Sequence, residues 1–276
     1  MRYHIFDPTG NITALVSDSV SPESQPRIAA RIMELHPEVE QVGFVRSPGT
    51  SPSDSSPGTD ADLSLRMAGG EFCGNATMCA AVYYAMRQNV CPSSVSLIVS
   101  GATSPLEVLL HETDEGLYAT SVHMPPVLEI KTIRLTHGNS QDMLPIVCME
   151  GISHVVICKD SPLFELLHNR NDAEHAVRAW CEQVGAEGLG IQFLVATSGA
   201  HLLTPLVYVP ASNTTYWENS CASGSAAVAA YLGMQAQTPV DVTLCEPGGT
   251  IRVLADYPAN SIELHGHVRP LDSHSI

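Results

Sequence analysis

Two cysteines of this chain stand in matched settings. Residues 71–81 read Glu-Phe-Cys-Gly-Asn-Ala-Thr-Met-Cys-Ala-Ala, and residues 218–227 read Glu-Asn-Ser-Cys-Ala-Ser-Gly-Ser-Ala-Ala. In each, small residues follow the cysteine (Cys73, Cys221), and an alanine-rich apolar stretch of helical character comes next. The pattern predicts a thiol at the start of a helix, twice. A helix N-terminus presents unpaired N–H groups and a partial positive charge. Both are expected to lower a thiol's pKa and raise its thiolate fraction. Two such thiols facing one pocket form an acid/base pair. That pair suits racemisation, which takes a proton from one face of a carbon and returns one to the other.

The α-proton of an amino acid is very weakly acidic, and many racemases acidify it with a pyridoxal phosphate bound to a lysine. This chain has two lysines, Lys131 and Lys159, and neither sits in a phosphate-binding context. A cofactor-free route must stabilise the developing negative charge with fixed dipoles, and two helix N-termini aimed at a substrate carboxylate can do so. The small residues after each cysteine, Gly74 and Asn75, then Ala222 and Ser223, let backbone N–H groups come close to such a carboxylate. The other six cysteines read as small buried hydrophobes. Their spacing gives no zinc pattern, and the twelve histidines show no H-E-x-x-H or H-x-x-x-H pattern, so no metal is expected.

The elements that must carry these residues repeat. Strands are predicted at Tyr3–Phe6, Ile12–Val16, Gln41–Val45 and Asp62–Met67. Helices are predicted at 22–35 and 76–86, and further strands at Val95–Val99, Leu106–Leu110 and Tyr118–Met124. Residues 47–62 are rich in Ser, Pro, Gly and Asp and read as a long loop, an insertion or a lid. From Pro125-Pro126 the plan starts again. Strands are expected at 130–135, 154–158, 190–196, 203–209, 242–245, 250–254 and 262–268, with helices at 172–184 and 223–232. Gly101 follows Cys73 by 28 residues and Gly249 follows Cys221 by 28, each leading into a strand. Matched offsets with similar local sequence argue for a duplicated α+β domain. The expected architecture is two pseudo-symmetric halves, 1–125 and 126–264, with the cysteines opposed across the cleft between them. The tail 265–276 packs back on the first half.

The quoted segments resemble the diaminopimelate epimerase-like family of cofactor-independent racemases over nearly the whole chain. Gly10-Asn11, Cys73-Gly74-Asn75 and Cys221 to Ser225 match that family's motifs, and Ser153-His154-Val155 is similar to a weakened Asn-Pro-His. The similarity is greater to its histidine racemase branch, which serves opine metallophore synthesis. That rests on residues 8–13, 40–44, 71–78, 216–221 and 247–249. The resemblance implies a mixed sheet around a central helix in each half. It also implies Cys73 and Cys221 as the two bases, no cofactor, no metal and a homodimer. A diaminopimelate epimerase holds its second carboxylate with an arginine just before the second cysteine. Here that stretch is Trp217-Glu218-Asn219-Ser220. Glu40, where the related racemase holds the imidazole, suits an imidazole N–H and repels a distal acid. Asn11 and Asn75 are candidates for the substrate backbone, and Glu218 for its ammonium or for tuning the thiol. Gly70 stands in place of an asparagine of that branch, and Ala222 in place of the usual glycine.

The alternatives are a diaminopimelate epimerase or another amino acid racemase of this fold, and a non-catalytic amino-acid-binding or thiol-redox protein. An isomerase of the phenazine-pathway type shares the fold but uses a carboxylate, against which the two cysteines argue. Thirteen basic residues against 29 acidic ones give a net charge of −16. That excludes nucleic acid and anionic membrane as expected partners. With no apolar run long enough to span a bilayer and no leader pattern after Met1, a cytoplasmic protein acting on a small amino acid is expected.

Overall fold

The computed structural model describes residues 1–47, 61–113 and 116–275. Most of the loop expected over 47–62, with its reading as a lid, lies outside the described residues. The chain divides into two units, Met1–His123 with His265–Ile276, and Met124–Leu264.

In the first unit the elements run β1 (Arg2–Pro8), β2 (Thr13–Val16), α1 (Gln25–Leu35), β3 (Gln41–Arg46), β4 (Leu63–Met67), α2 (Gly74–Gln88), β5 (Ser94–Val99), β6 (Leu106–Glu112) and β7 (Tyr118–His123). Neighbours in sequence pair in order. The β2–β3 and β4–β5 pairs are parallel, each bridged by a helix, and the others are antiparallel. The last strand of the chain, β16 (Ser261–Ser275), lies beside β7 and pairs antiparallel with β1, Arg2 opposite Ser275. The sheet thereby closes into a barrel.

α2 runs inside that barrel, packed on every strand from β1 to β7. Its sequence explains the placement. Gly74 to Tyr83 are all buried, and a helix apolar or small on all sides has no face to give to water. α1 is amphipathic and packs outside on β3, burying Gln25, Ala29 and Ile32.

The second unit has β8 (Val127–His137), β9 (Ser140–Met149), β10 (Ser153–Cys158), α3 (Arg170–Val184), β11 (Leu189–Val195), β12 (His201–Val209), β13 (Thr214–Trp217), α4 (Ala222–Ala236), β14 (Val240–Glu246) and β15 (Gly249–Asp256). Here too the two parallel pairs, β10–β11 and β12–β14, are bridged by helices, α3 and α4. α4 is the buried helix, with Ala222 to Ala230 all inaccessible, and it packs on β8, β9, β10, β11, β14 and β15. α3 presents Ala173, Ala176, Val177, Trp180 and Cys181 to β11 and β12 and leaves its charged face to water.

Several expectations are corrected. β9 and β13 are strands absent from the sequence reading, and β8 and β16 are longer than read. Both buried helices begin earlier and end later, α2 at 74–88 and α4 at 222–236. All eight cysteines are free thiols, but only Cys79, Cys181 and Cys221 are buried; Cys91, just past α2, is exposed. The reading of most cysteines as buried hydrophobes therefore fails. Among the described residues no helix is long and apolar enough to cross a membrane.

Candidate active site

Each buried helix starts on a cysteine. Cys73 and Cys221 are the N-cap residues of α2 and α4, with extended backbone (φ −140°, ψ 112° and φ −127°, ψ 98°). An N-cap side chain accepts from the N–H two or three residues on, a task usually given to Ser, Thr, Asp or Asn. Here sulfur does it: Ala76 N–H donates to Cys73 Sγ at 3.4 Å and Gly224 N–H to Cys221 Sγ at 3.4 Å. The segment before each cysteine is tied to the turn that follows 27 residues on. Ser100 Oγ donates to the Glu71 carbonyl at 2.8 Å in one unit, and Gly248 N–H to the Asn219 carbonyl at 2.8 Å in the other.

Around Cys73, the first unit gathers residues of three elements. The thiol donates to Gln41 Oε1 at 2.9 Å. The same amide's nitrogen donates to Asn11 Oδ1 and, at 2.8 Å, to Thr13 Oγ1. Asn11 Nδ2 in turn donates to Glu40 Oε2 at 2.9 Å. Asn11 itself is held by the turn before β2, where Thr9 and Gly10 take positive φ (59° and 89°). Asn11, Glu40 and Cys73 are thus joined in one hydrogen-bonded chain through Gln41. Sequence reading missed Gln41; its place on the strand after Glu40 and opposite Thr13 in the β2–β3 register is the signal that was there to use. Gly74 and Asn75 lie buried in the first turn of α2.

Around Cys221, the second unit builds a more enclosed setting. The residue is 4% exposed. Gln192 of β11 places Nε2 4.0 Å from Cys221 Sγ and donates to His154 Nδ1 at 3.1 Å. A bare Nδ1 puts the imidazole proton on Nε2, which lies 3.0 Å from Ser223 Oγ. Ser223 Oγ is 3.7 Å from Cys221 Sγ. Burial pushes the His154 pKa down to about 3, so the ring is neutral. Glu246, at the end of β14, accepts from Cys221 N–H at 2.7 Å and from the Ser225 hydroxyl. Burial pushes its pKa up to about 7. Ala222 and Ser223 lie buried in the first turn of α4, and Glu218 is half-buried on the segment before it. Gln192 and Glu246 are absent from the sequence reading.

The electrostatics correct one expectation. The helix start does favour a thiolate at Cys221, through the Gly224 N–H. Burial, with the carboxylates of Glu218 and Glu246, outweighs it and holds this thiol's pKa well above the ordinary value. In the absence of substrate Cys221 is a protonated acid rather than a ready base.

His154 and Glu246 also couple folding to pH. On unfolding, His154 takes up a proton between about pH 3 and 6.5, so its contribution to stability is full above 6.5 and falls as pH drops. Glu246 releases one between about 4.5 and 7, so its contribution is full below 4.5 and is lost as pH rises through 7. The two slopes oppose each other between 4.5 and 6.5. Removing one exposes the other. Glu246→Gln stability, relative to wild type, is expected to rise with pH by about 1.4 kcal/mol per unit across 4.5 to 7. Urea unfolding at half-unit pH steps measures this; a difference that stays flat contradicts a buried, protonating carboxylate.

A mixed sheet enclosing a buried helix defines an α+β epimerase-like fold. A phenazine biosynthesis protein of the PhzF family from Bacillus anthracis shares it, with a TM-score of 0.64 at 12% identity, over 100% of this chain and 98% of that one. The family model described as "Histidine racemase CntK N-terminal domain" matches residues 1–270, and the chain belongs to that family and so to the amino acid racemases. Similar proteins include a histidine racemase from Staphylococcus aureus, 28% identical over 92% of this chain and 88% of the relative. Another, from Fusobacterium nucleatum, is 26% identical over 82% of this chain and 78% of the relative.

Proposed function

We propose that this protein interconverts L- and D-histidine without a cofactor, using Cys73 and Cys221 as its two bases, and that the D-histidine feeds an opine metallophore. The observation that supports the reading most is the pair of N-cap cysteines in a histidine racemase family. Each sulfur accepts its own helix's N–H, which stabilises a thiolate when one forms. Their settings differ in a useful way. Cys73 is half-buried and donates its proton to a neutral amide oxygen, from which it must be released before the thiolate acts, while Cys221 is buried among carboxylates and rests as the thiol. A thiolate at Cys73 takes the α-proton, and the Cys221 thiol supplies a proton to the opposite face of the carbon. In the reverse direction the roles exchange.

In this reading Glu40 receives the imidazole N–H, steadied by Asn11. Backbone N–H groups of the first helical turns, at Gly74, Asn75, Ala222 and Ser223, receive the carboxylate, and Glu218 attracts the ammonium. The two units are copies of one duplicated module, consistent with the same order of strand pairings in each. The working enzyme is a homodimer in the cytoplasm. Incubation with single enantiomers of a panel of amino acids in D₂O tests the activity. L-Histidine is expected to give D-histidine carrying deuterium at Cα. Exchange with proline or diaminopimelate instead reassigns the substrate, and no exchange with any member overturns the reading.

A further inference from the structure

The N-cap at Cys221 lacks one usual part. In a capping box, the side chain of the third helical residue reaches back to the backbone N–H of the N-cap residue. In α4 that third residue is Gly224, which has no side chain. The reason is steric. A Cβ there falls 2.4–2.5 Å from the amide atoms of Gln192, which is wholly buried and committed to His154. The N–H of Cys221 still needs an acceptor, because it is buried. Glu246 provides it from β14, with one oxygen on Cys221 N–H at 2.7 Å and the other on the Ser225 hydroxyl, one turn into the helix.

We propose that Glu246 is the positioning residue of Cys221: its buried carboxylate takes the place of the missing capping side chain, fixes the backbone that aims the thiol, and sets the charge behind it. The inference rests on the reading of Cys221 as an acid/base group. The corresponding offset after Cys73 falls on Ile98, which has no carboxylate to offer. The titratable groups around the Cys221 thiol are Glu218, on the segment preceding α4, Glu246 on β14, and the neutral His154 on β10, which reaches it through Ser223. Burial lifts the Glu246 carboxyl to about 7, still below the range where a raised thiol titrates, so its charge repels the thiolate there.

Glu246→Gln keeps the shape, leaves an oxygen for the Cys221 N–H and a nitrogen for Ser225, and removes only the charge. Without substrate, alkylation of Cys221 by iodoacetamide, followed by peptide mass spectrometry across pH 8–12, should show a midpoint about one unit lower than wild type. That is about tenfold faster labelling below the midpoint. Glu246→Asp shortens the reach and keeps the charge. It should leave the midpoint near wild type, while lowering kcat for α-proton exchange about tenfold with KM within twofold. A residue that served folding alone moves the melting temperature but neither the midpoint nor the kcat to KM split. A Glu246→Gln midpoint equal to wild type overturns the proposal. The labelling needs no turnover, so an enzyme inactive on every amino acid defeats the function proposed above while leaving this result to stand or fall by itself.

Discussion

Cys73→Ser and Cys221→Ser are each expected to lower histidine racemisation by about a hundredfold to ten-thousandfold while leaving the melting temperature within a few degrees of wild type. The small structural cost follows from the local geometry. Both cysteines are N-caps, and serine is among the best N-cap residues, so the bond from Ala76 or Gly224 survives the change. The large catalytic cost follows from acidity. A serine hydroxyl, lacking a strong base beside it, cannot ionise near neutral pH, and the general acid–base contribution of about 10²–10⁴ disappears with it. The two variants should differ in what remains. Each keeps one thiol able to take a proton from one enantiomer, so slow solvent exchange without inversion is expected from opposite enantiomers in the two proteins. Following both D- and L-histidine by NMR in D₂O checks this and assigns each thiol to its enantiomer. Full racemisation by either variant removes the thiols from the mechanism.

What the sequence made legible was local. A cysteine followed by small residues and an apolar helix reads directly as a helix start, and both helices begin there. The glycine 28 residues after Cys73 was readable for a similar reason. Gly101 takes φ +76°, and a Cβ on it meets the Phe72 backbone nitrogen at 2.4 Å, so the position permits little else. What stayed hidden depends on strand register. Glu246 lies 25 residues after Cys221 and Gln192 lies 29 before it. Only the pairing of β11, β12 and β14 decides that their side chains meet the same cysteine, Gln192 at its sulfur and Glu246 at its N–H. β9 escaped notice because it opens on the polar run Ser140-Gln141-Asp142, half-exposed or exposed, and carries Pro145 opposite Thr132. β13 is half-buried throughout, and so shows no period of two. The thiol acidity shows the same division. A helix N-terminus is visible in sequence, but the burial and the two carboxylates that override it at Cys221 are not.

Gly224→Ala tests how tightly that second setting is built, and two effects of opposite sign compete in it. Alanine is the better helix former, by about 1 kcal/mol over glycine inside a helix. Against that, the new Cβ lands 2.4 Å from Gln192 Nε2 and 2.5 Å from its Cδ and Oε1. The amide has little room to retreat. It is fully buried, and beside it His154 already fills the space over Gly190, where a Cβ lies 2.2 Å from Nδ1. Overpacking a rigid core costs about 1–3 kcal/mol, and the broken Gln192–His154 bond adds about 1 more, so the loss outweighs the propensity gain. A net destabilisation of about 1–3 kcal/mol is expected in urea unfolding. Activity should suffer more than stability, because Gly224 N–H and Gln192 both face Cys221 Sγ. A displacement of about 1 Å at a catalytic group can cost about a hundredfold in rate, and kcat is expected to fall by that much. Gly233→Ala supplies the control in the same helix. Its nearest neighbour, Tyr257 Cβ, lies at an ordinary 3.5 Å, so propensity alone acts there and up to about 1 kcal/mol of stabilisation is expected with unchanged turnover. If Gly224→Ala behaves like Gly233→Ala, Gln192 is not the fixed wall that keeps the third residue of α4 a glycine.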